Sequence, residues 1–460
     1  MTMKNFFKPS ALVFSMLAAS TSFAGEIYKD DAKQLNLNID SWVGVFNSQE
    51  NYYETEKDGS QWTEGFIKYG LSGSINTPKA SSLYAGVAGV TSFVRGDGDM
   101  GGNTNGEESK TSLENAYIGW KSGNVFSVLG ENGLDISFGQ QVFHLGDGFL
   151  VTDDSANLGK HRGYDEAGAD MVNRGGAYYT AARRAFKNTA VVKIGQAEGF
   201  KTELAWVQSD NPIHASSEFA ALDLNYTKGA NTIGFDYVKF LDYDQTEATY
   251  LNPTVFMRDK MDVYSVRGST NAGVENLTLN FNYSQQFKDK NVVFYEDETY
   301  EVFDKKHDDN AFYAGIGYHF VNAPLAPSVN YRYTRYSEGW DPMFVGVEKL
   351  GTWIYGEVAG NFAGPFNTNS AIHSIGIEAF PTEKLLLGAN IYNFETLEKA
   401  GGDQSGQELD LFAFYQVNEA LALIPVLGIY KPKKSFEEGG TQFGNDKTNV
   451  FAALIAAVSF

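Results

Sequence analysis

Counting back from Phe460, every second residue is apolar: Val458, Ala456, Leu454, Ala452 and Val450. Side chains alternate across an extended strand, so these residues share one face. The same period recurs along the chain. Thr202, Leu204 and Trp206 alternate with Lys201, Glu203 and Ala205; Leu277, Leu279, Phe281 and Tyr283 alternate with Asn276, Thr278 and Asn280. Leu409, Leu411, Ala413 and Tyr415 alternate with Asp410, Phe412 and Phe414, whereas Ile372, Ser374 and Gly376 against His373, Ile375 and Ile377 are less clean. A chain patterned this way folds either as a sandwich with its apolar faces turned inward or as a closed barrel with them turned outward to lipid. Alternation alone does not choose between them.

Composition and the chain's first residues favour the barrel. Lys4 and Lys8 form a basic segment, Ala11 to Ala19 a short apolar one, and Ser22-Phe23-Ala24 a small-residue site, which predicts a signal peptide over 1–24 cleaved before Gly25. An exported chain without a single cysteine cannot draw on disulfides for stability. A closed barrel draws it from strands hydrogen-bonded on both sides. No later run approaches the length of a membrane-spanning helix. Yet the chain holds 34 Phe, 26 Tyr and 48 Gly against 11 Pro. Abundant aromatics and glycine at low hydropathy fit alternating strands with aromatic girdles. Ending on Phe460 after an alternating strand also resembles the signal read by the outer-membrane barrel-assembly machinery.

We therefore expect residues 25–460 to form one all-β domain, a transmembrane antiparallel up-and-down barrel of about 18 strands, with 16 to 20 admissible, in the bacterial outer membrane. About twenty strand candidates run from 35–48 to 448–460, two of them at 173–184 and 351–362. Both ends should lie on the side of the short turns, with the long loops opposite. That alternation holds from either terminus but slips in the middle, so one assignment between 185 and 370 must fail. A net charge of −21 argues against nucleic acid as a partner. It fits a surface set among lipid and lipopolysaccharide with their divalent cations.

Chemical motifs are few. Gly96-Asp97-Gly98-Asp99-Met100-Gly101 has dinucleotide-loop spacing but is followed by more Gly and Asn where a helix is needed. Asp97 and Asp99 are weak candidates for a surface cation. The six histidines form no i, i+4 pair, and no nucleophile elbow occurs. We expect no enzyme and no cofactor; a barrel enzyme or adhesin remains the outlying alternative.

The most informative interior segment runs from 139 to 186. On a strand, Arg174, Tyr178 and Arg184 would share one face and Ala177, Tyr179 and Ala181 the other. Burying Arg in lipid costs ~2–4 kcal/mol near the midplane, so the arginine face should line the lumen. Arg183 would then sit near a membrane interface, where it can snorkel. The same logic turns Arg332 inward, opposite Tyr331 and Tyr333, and places Trp353, Tyr355 and Glu357 in the lumen, against Ile354 and Val358. Arg162 lies on a loop that folds inward. Basic rings favour anions; the alternative is that these arginines pair with lumen carboxylates and stiffen the wall. Aromatics beside Arg and Glu suit sugars, whose ring faces stack while hydroxyls take charged hydrogen bonds.

Three stretches carry a resemblance. Gly-x-Gln-x-Phe-x-x-Gly-Asp-Gly-Phe around 139–149, Arg-Gly-x-x-Tyr-x-x-x-Arg-x-Ala-Phe around 174–186, and Trp340-Asp341-Pro342-Met343-Phe344 with the run from Gly351 to Gly360 resemble the alginate-export family of outer-membrane barrels. The resemblance implies an 18-stranded monomeric barrel with an Arg-lined polar lumen, in a family that includes a polyuronate exporter. The acidic composition, with only 36 Lys and Arg, departs from what polyanion transport asks unless positive charge is gathered in the lumen. The function expected is a channel for small hydrophilic solutes, oligosaccharides and acidic sugars among them, with polysaccharide export as the alternative.

Overall fold

The computed structural model describes residues 25–54, 58–295, 299–345 and 353–460; the expected signal peptide lies outside them. Nineteen strands occur among the described residues. β1 is Gly25–Lys29, β2 Lys33–Ser48, β3 Ser60–Thr77, β4 Ser81–Gly96, β5 Ser109–Lys121 and β6 Leu134–Gln141. After a long connection come β7 Phe186–Gly195, β8 Gly199–Gln208, β9 Glu218–Lys228, β10 Asn231–Asp242, β11 Asp262–Thr270, β12 Leu277–Phe294, β13 Tyr300–His319 and β14 Ser328–Tyr336. A second long connection leads to β15 Ser370–Thr382, β16 Leu385–Thr396, β17 Gly406–Gln416, β18 Leu421–Pro432 and β19 Asn449–Ser459.

From β2 onward every strand pairs antiparallel with its neighbour in sequence, and β19 pairs with β2 to close an 18-stranded barrel. Closure leaves no free edge through the membrane, as a lipid environment demands. β1 folds back along β2 where β19 has ended. Phe460 exchanges both backbone hydrogen bonds with Ile39, at 2.8 and 2.9 Å, and Gly25 faces Leu37 two residues further on. Short turns such as 78–80, 196–198, 229–230 and 383–384 lie at the end where β2 begins and β19 finishes. The connections 97–108, 142–185, 243–261, 337–369 and 433–448 lie at the other end.

Eighteen of the twenty strand candidates become barrel strands; 173–184 and 351–362 do not. Segment 173–184 carries positive φ at Gly175, Gly176, Ala177 and Ala181, which breaks the pleat. In the other, a turn of π-helix occupies Gly356–Ala363; Gly351 and Thr352 fall outside the described residues. Both belong to long connections that fold back into the barrel. Dropping the two restores the strand parity; only 351–362 lies within 185–370, and the other failure falls just before that window.

The alternating apolar residues face outward. Leu204, Phe281, Tyr283, Leu411, Tyr415 and Leu454 are all exposed on the outer wall, while Glu203, Asn282, Asp410 and Ala453 beside them are buried inside. Lipid takes the place of a protein core for the outer set. Replacing Leu454 with Arg should therefore cost about 2–4 kcal/mol if it sits near the bilayer midplane. Urea unfolding of the barrel refolded into lipid vesicles, followed by tryptophan fluorescence, checks this; a loss under half a kcal/mol, taken as roughly the noise of a surface change, would contradict an outward Leu454.

Candidate functional site

The inner wall is polar and charged. Cross-strand register sets Asp135 beside Lys193, Lys193 beside Glu203, Glu203 beside Asp223, and Asp223 beside Asp236, so charged residues ring about a quarter of the lumen at one height. Lys193 reaches Glu203 at 3.2 Å, and Arg267 on β11 reaches Asp223 at 2.6 Å and Asp236 at 3.5 Å. A soluble sandwich would have buried an oily interface here; this wall needs water or partners.

The long connections 142–185 and 337–369 narrow that lumen. They meet through a parallel bridge between Val151 and Phe344, and the Thr152 N–H donates to the Phe344 carbonyl at 2.8 Å. The Tyr179 hydroxyl donates to Glu357 at 2.5 Å and that of Tyr178 to the Asn361 carbonyl at 3.0 Å. The Trp353 indole donates to the Asp147 carbonyl at 2.9 Å. Phe149 packs among Tyr313, Tyr336 and Trp353. Gly148 has φ +83°, and any Cβ there would fall 2.5 Å from the His144 ring, so only glycine lets this turn pass.

Wall residues hold the second connection. Glu408 on β17 accepts the Val358 and Ala359 N–H groups at 2.6 and 2.9 Å, and Asp410 accepts that of Glu357 at 3.1 Å. These are the otherwise orphaned donors at the start of the π-helix, capped from the wall rather than from its own sequence. On the loop side, Arg258 grips Asp341 with two bonds of 2.6 and 2.9 Å, both groups buried. Burial works against the Asp341 charge, but Arg258 wins and holds the carboxyl down to about 2.

Of the predicted site residues, Arg332 enters the lumen from a strand, Arg174, Tyr178, Arg184, Trp353, Tyr355 and Glu357 enter on the infolded connections, and Arg162 does not enter. Arg174 is buried behind the first connection, 2.8 Å from Asp210 and 3.5 Å from Asp154. Arg183, expected at a membrane interface, lies inside instead, 2.8 Å from Asp210; a buried carboxylate binds it better than snorkelling would. Burial presses on Asp210, yet Arg174 and Arg183 keep its carboxyl below the usual range. Burial lifts Asp154 to about 7. Arg184 bonds Asp153 at 2.5 Å and remains open to the lumen. Arg332 projects inward from β14, its guanidinium 4.5 Å from the Trp353 ring centre and 5.5 Å from that of Tyr313. Trp353, Tyr355 and Glu357 are buried in the lumen, on the infolded connection rather than on a strand. Tyr355 shares a 2.7 Å hydrogen bond with Thr334. Arg162 stays at the loop end, donating to the Asp97 carbonyl at 2.7 Å and lying over Tyr53.

The cation candidates are spent locally. Asp99 accepts from the Gly101 and Asn103 amides at 2.9 and 3.1 Å and from the Thr104 hydroxyl at 2.8 Å, and Asp97 accepts from the Gln61 amide at 3.0 Å. Their role in 97–108 is to shape the loop.

Sequence reasoning missed Lys68, Glu114, Asp153, Asp210, Glu408 and Asp410. Each is an ordinary inward polar residue or loop acid until the chain is folded. In three lumen ion pairs the cation is the more accessible partner. The Arg184 side chain is 40% exposed against 0% for Asp153, that of Lys68 18% against 0% for Glu114, and that of Lys193 46% against 7% for Glu203. In these three the cation faces the water and the carboxylate stands behind it; around Arg174 and Arg183 the order is reversed, with Asp210 the more exposed partner.

A closed 18-stranded barrel with an apolar outer belt, a charged interior and infolded loops is an outer-membrane-type porin fold. It superposes on OccAB1 of Acinetobacter baumannii with a TM-score of 0.58 at 12% identity, covering 95% of this chain and 98% of that one. OccK8 (OprE) of Pseudomonas aeruginosa gives 0.57 at 12%, covering 92% and 97%, and OccAB2 of A. baumannii gives 0.57 at 10%, covering 93% and 98%. No family model and no curated protein matches the chain. The likeness to the alginate-export family thus rests on the three sequence stretches alone.

Proposed function

We propose that the chain is a bacterial outer-membrane channel through which small hydrophilic solutes diffuse, with anions favoured. Arg184, Lys68 and Lys193, accessible cations backed by buried carboxylates, carry this reading: at these three points a passing solute meets an ammonium or guanidinium group first. Acidic sugars are the solute class that best fits the Arg332 corner, where a guanidinium lies over two aromatic faces. No covalent step is asked of the protein.

In planar bilayers the wild-type barrel should pass chloride in preference to potassium, and liposomes carrying it should swell faster in glucuronate than in glucose. Equal or inverted ion preference rejects the anion assignment. Swelling in neither solute, with no conductance, rejects the channel. Polysaccharide export shares the cations but asks for a wider passage; oligouronate uptake into the same liposomes, rising with chain length, would favour it.

The pH response follows from which groups can titrate. Burial among the loop atoms lowers the His144 imidazole from its ordinary value, so it is neutral at neutral pH. Anion preference should rise as the pH falls through about 7, where Asp154 takes up a proton, and rise again in more acid solution as His144 gains its own. His144→Gln should remove the second rise and leave the first; persistence of the second would show that another group titrates.

A further inference from the structure

The outer wall across β14–β18 carries a groove that solute passage does not explain. Two adjoining hollows of about 450 Å³ each lie on it. Cross-strand register orders its floor. Tyr331, Ile375, Ile391, Leu409 and Ile429 stand side by side in one rung. Two residues nearer the long loops, ~7 Å up the wall, the neighbours are Tyr333, His373, Asn393, Gln407 and Lys431. Above them Lys399 and Lys433 line the same hollow, with Glu395 the one acid among them. The wall therefore passes from hydrocarbon to amide and imidazole to ammonium within a few rungs.

Two of the lysines repeat on the outside the asymmetry of the Arg184–Asp153 pair. Lys399 and Lys433 share Asp403, at 3.4 and 3.3 Å. Asp403 is almost wholly buried while both lysines are exposed. Lys431 is held by the Asp446 carbonyl and lies 3.6 Å from the Asp446 carboxylate, both side chains half-exposed. In a chain of net charge −21, three accessible lysines are gathered directly above an apolar trough, facing two exposed carboxylates, Glu395 and Asp446.

We propose that this groove seats a phosphorylated glycolipid of the outer leaflet, its acyl chains on the Ile375–Ile429 rung and its phosphate among Lys399, Lys431 and Lys433. The assignment rests on the reading that the barrel sits in an outer membrane with its long loops outward. Strands lie about 4.8 Å apart, so four of them offer a trough roughly 15 Å wide, broad enough for several chains side by side rather than the two of a phospholipid. The middle rung of amides and imidazole meets the hydroxyl and amide groups that a glycolipid carries between chains and phosphate. The phosphate then completes charge-assisted bonds with lysines at the height where long cationic side chains reach an interface.

Native mass spectrometry of the detergent-purified barrel with added bis-phosphorylated lipid A, its dephosphorylated form, or phosphatidylglycerol tests this. Wild type should retain one bis-phosphorylated lipid A and hold the other two far more weakly. The triple variant Lys399→Gln, Lys431→Gln, Lys433→Gln should bind it roughly a hundredfold more weakly, with single-channel conductance unchanged. Equal retention by the triple variant, or equal retention of the dephosphorylated lipid or of phosphatidylglycerol, overturns the proposal. Conductance of the same wild-type preparation keeps the two readings apart: a silent barrel that still holds lipid A defeats the channel and leaves the groove standing.

Discussion

Truncating Asp341 to alanine is expected to destabilise the barrel by about 3–5 kcal/mol, because it strands Arg258 in the interior without a counter-charge. Arg258 closes the 3₁₀ turn Pro253–Arg258 in the 243–261 connection and lies 5.3 Å from the ring centres of Phe240 and Phe344. Its two bonds to Asp341 join that connection to 337–369. Gln286 on β12 adds its amide to the Asp341 carbonyl at 2.7 Å. Losing the carboxylate thus leaves a buried guanidinium surrounded by aromatic rings and carbonyls. Replacing both partners by apolar residues of similar volume, Arg258→Met with Asp341→Leu, should recover most of the loss, since an ion pair and a packed apolar pair are of similar worth. Urea unfolding in detergent reads both variants. Wild-type stability in Asp341→Ala would mean that Arg258 finds water or another acceptor. The single-channel record should grow noisier in Asp341→Ala, as the second connection loses an anchor on the lumen.

Replacing Arg184 with alanine should lower the chloride-to-potassium permeability ratio by roughly fivefold, the factor that corresponds to ~1 kcal/mol of Coulomb energy at a wet constriction. The argument is the position of the charge. Arg184 is the accessible member of its pair, so its removal uncovers Asp153 to the passing ion. Arg174→Ala removes the same formal charge but from a buried site enclosed by Asp154 and Asp210. Its main effect should be on stability, with a much smaller change in selectivity. Reversal-potential measurements in a salt gradient distinguish the two. If Arg174→Ala shifts selectivity as far as Arg184→Ala, the accessibility argument fails.

Strand alternation was legible because lipid imposes it residue by residue. Leu204 and Trp206, or Leu409 and Leu411, must look outward whatever the loops do, and a period of two survives in one sequence. The segments at 173–184 and 351–362 imitate that period for a different reason. Their described residues pack inside the lumen, with Arg184 left open to its water, and small, aromatic and charged residues mix there without a lipid face to sort them. Arg174, Arg184, Trp353 and Glu357 were therefore traced to the lumen by the cost of placing them elsewhere, while the element carrying them was misread. Their partners were beyond local reading. Asp210 meets Arg174 from 36 residues away, and Glu357 receives Tyr179 across 178. No spacing rule spans such separations; only the closed wall brings them together. Glu408 and Asp410 show the same limit, since a polar strand face does not reveal which backbone amides it will cap.

The aperture of this barrel is made by chain that contributes nothing to the membrane-spanning hydrogen-bond ladder. Substitutions within 142–185 and 337–369 that spare anchors such as Asp341 can reshape what passes without disturbing the pairing that makes insertion into lipid feasible. Much of the selectivity is therefore carried outside the stretches that build the wall, though Lys68, Lys193 and Arg332 contribute to it from the strands. A lineage built on this plan is free to diverge quickly in the solutes it admits while its outer cylinder changes slowly, and libraries confined to those two stretches are the economical route to engineering new permeants.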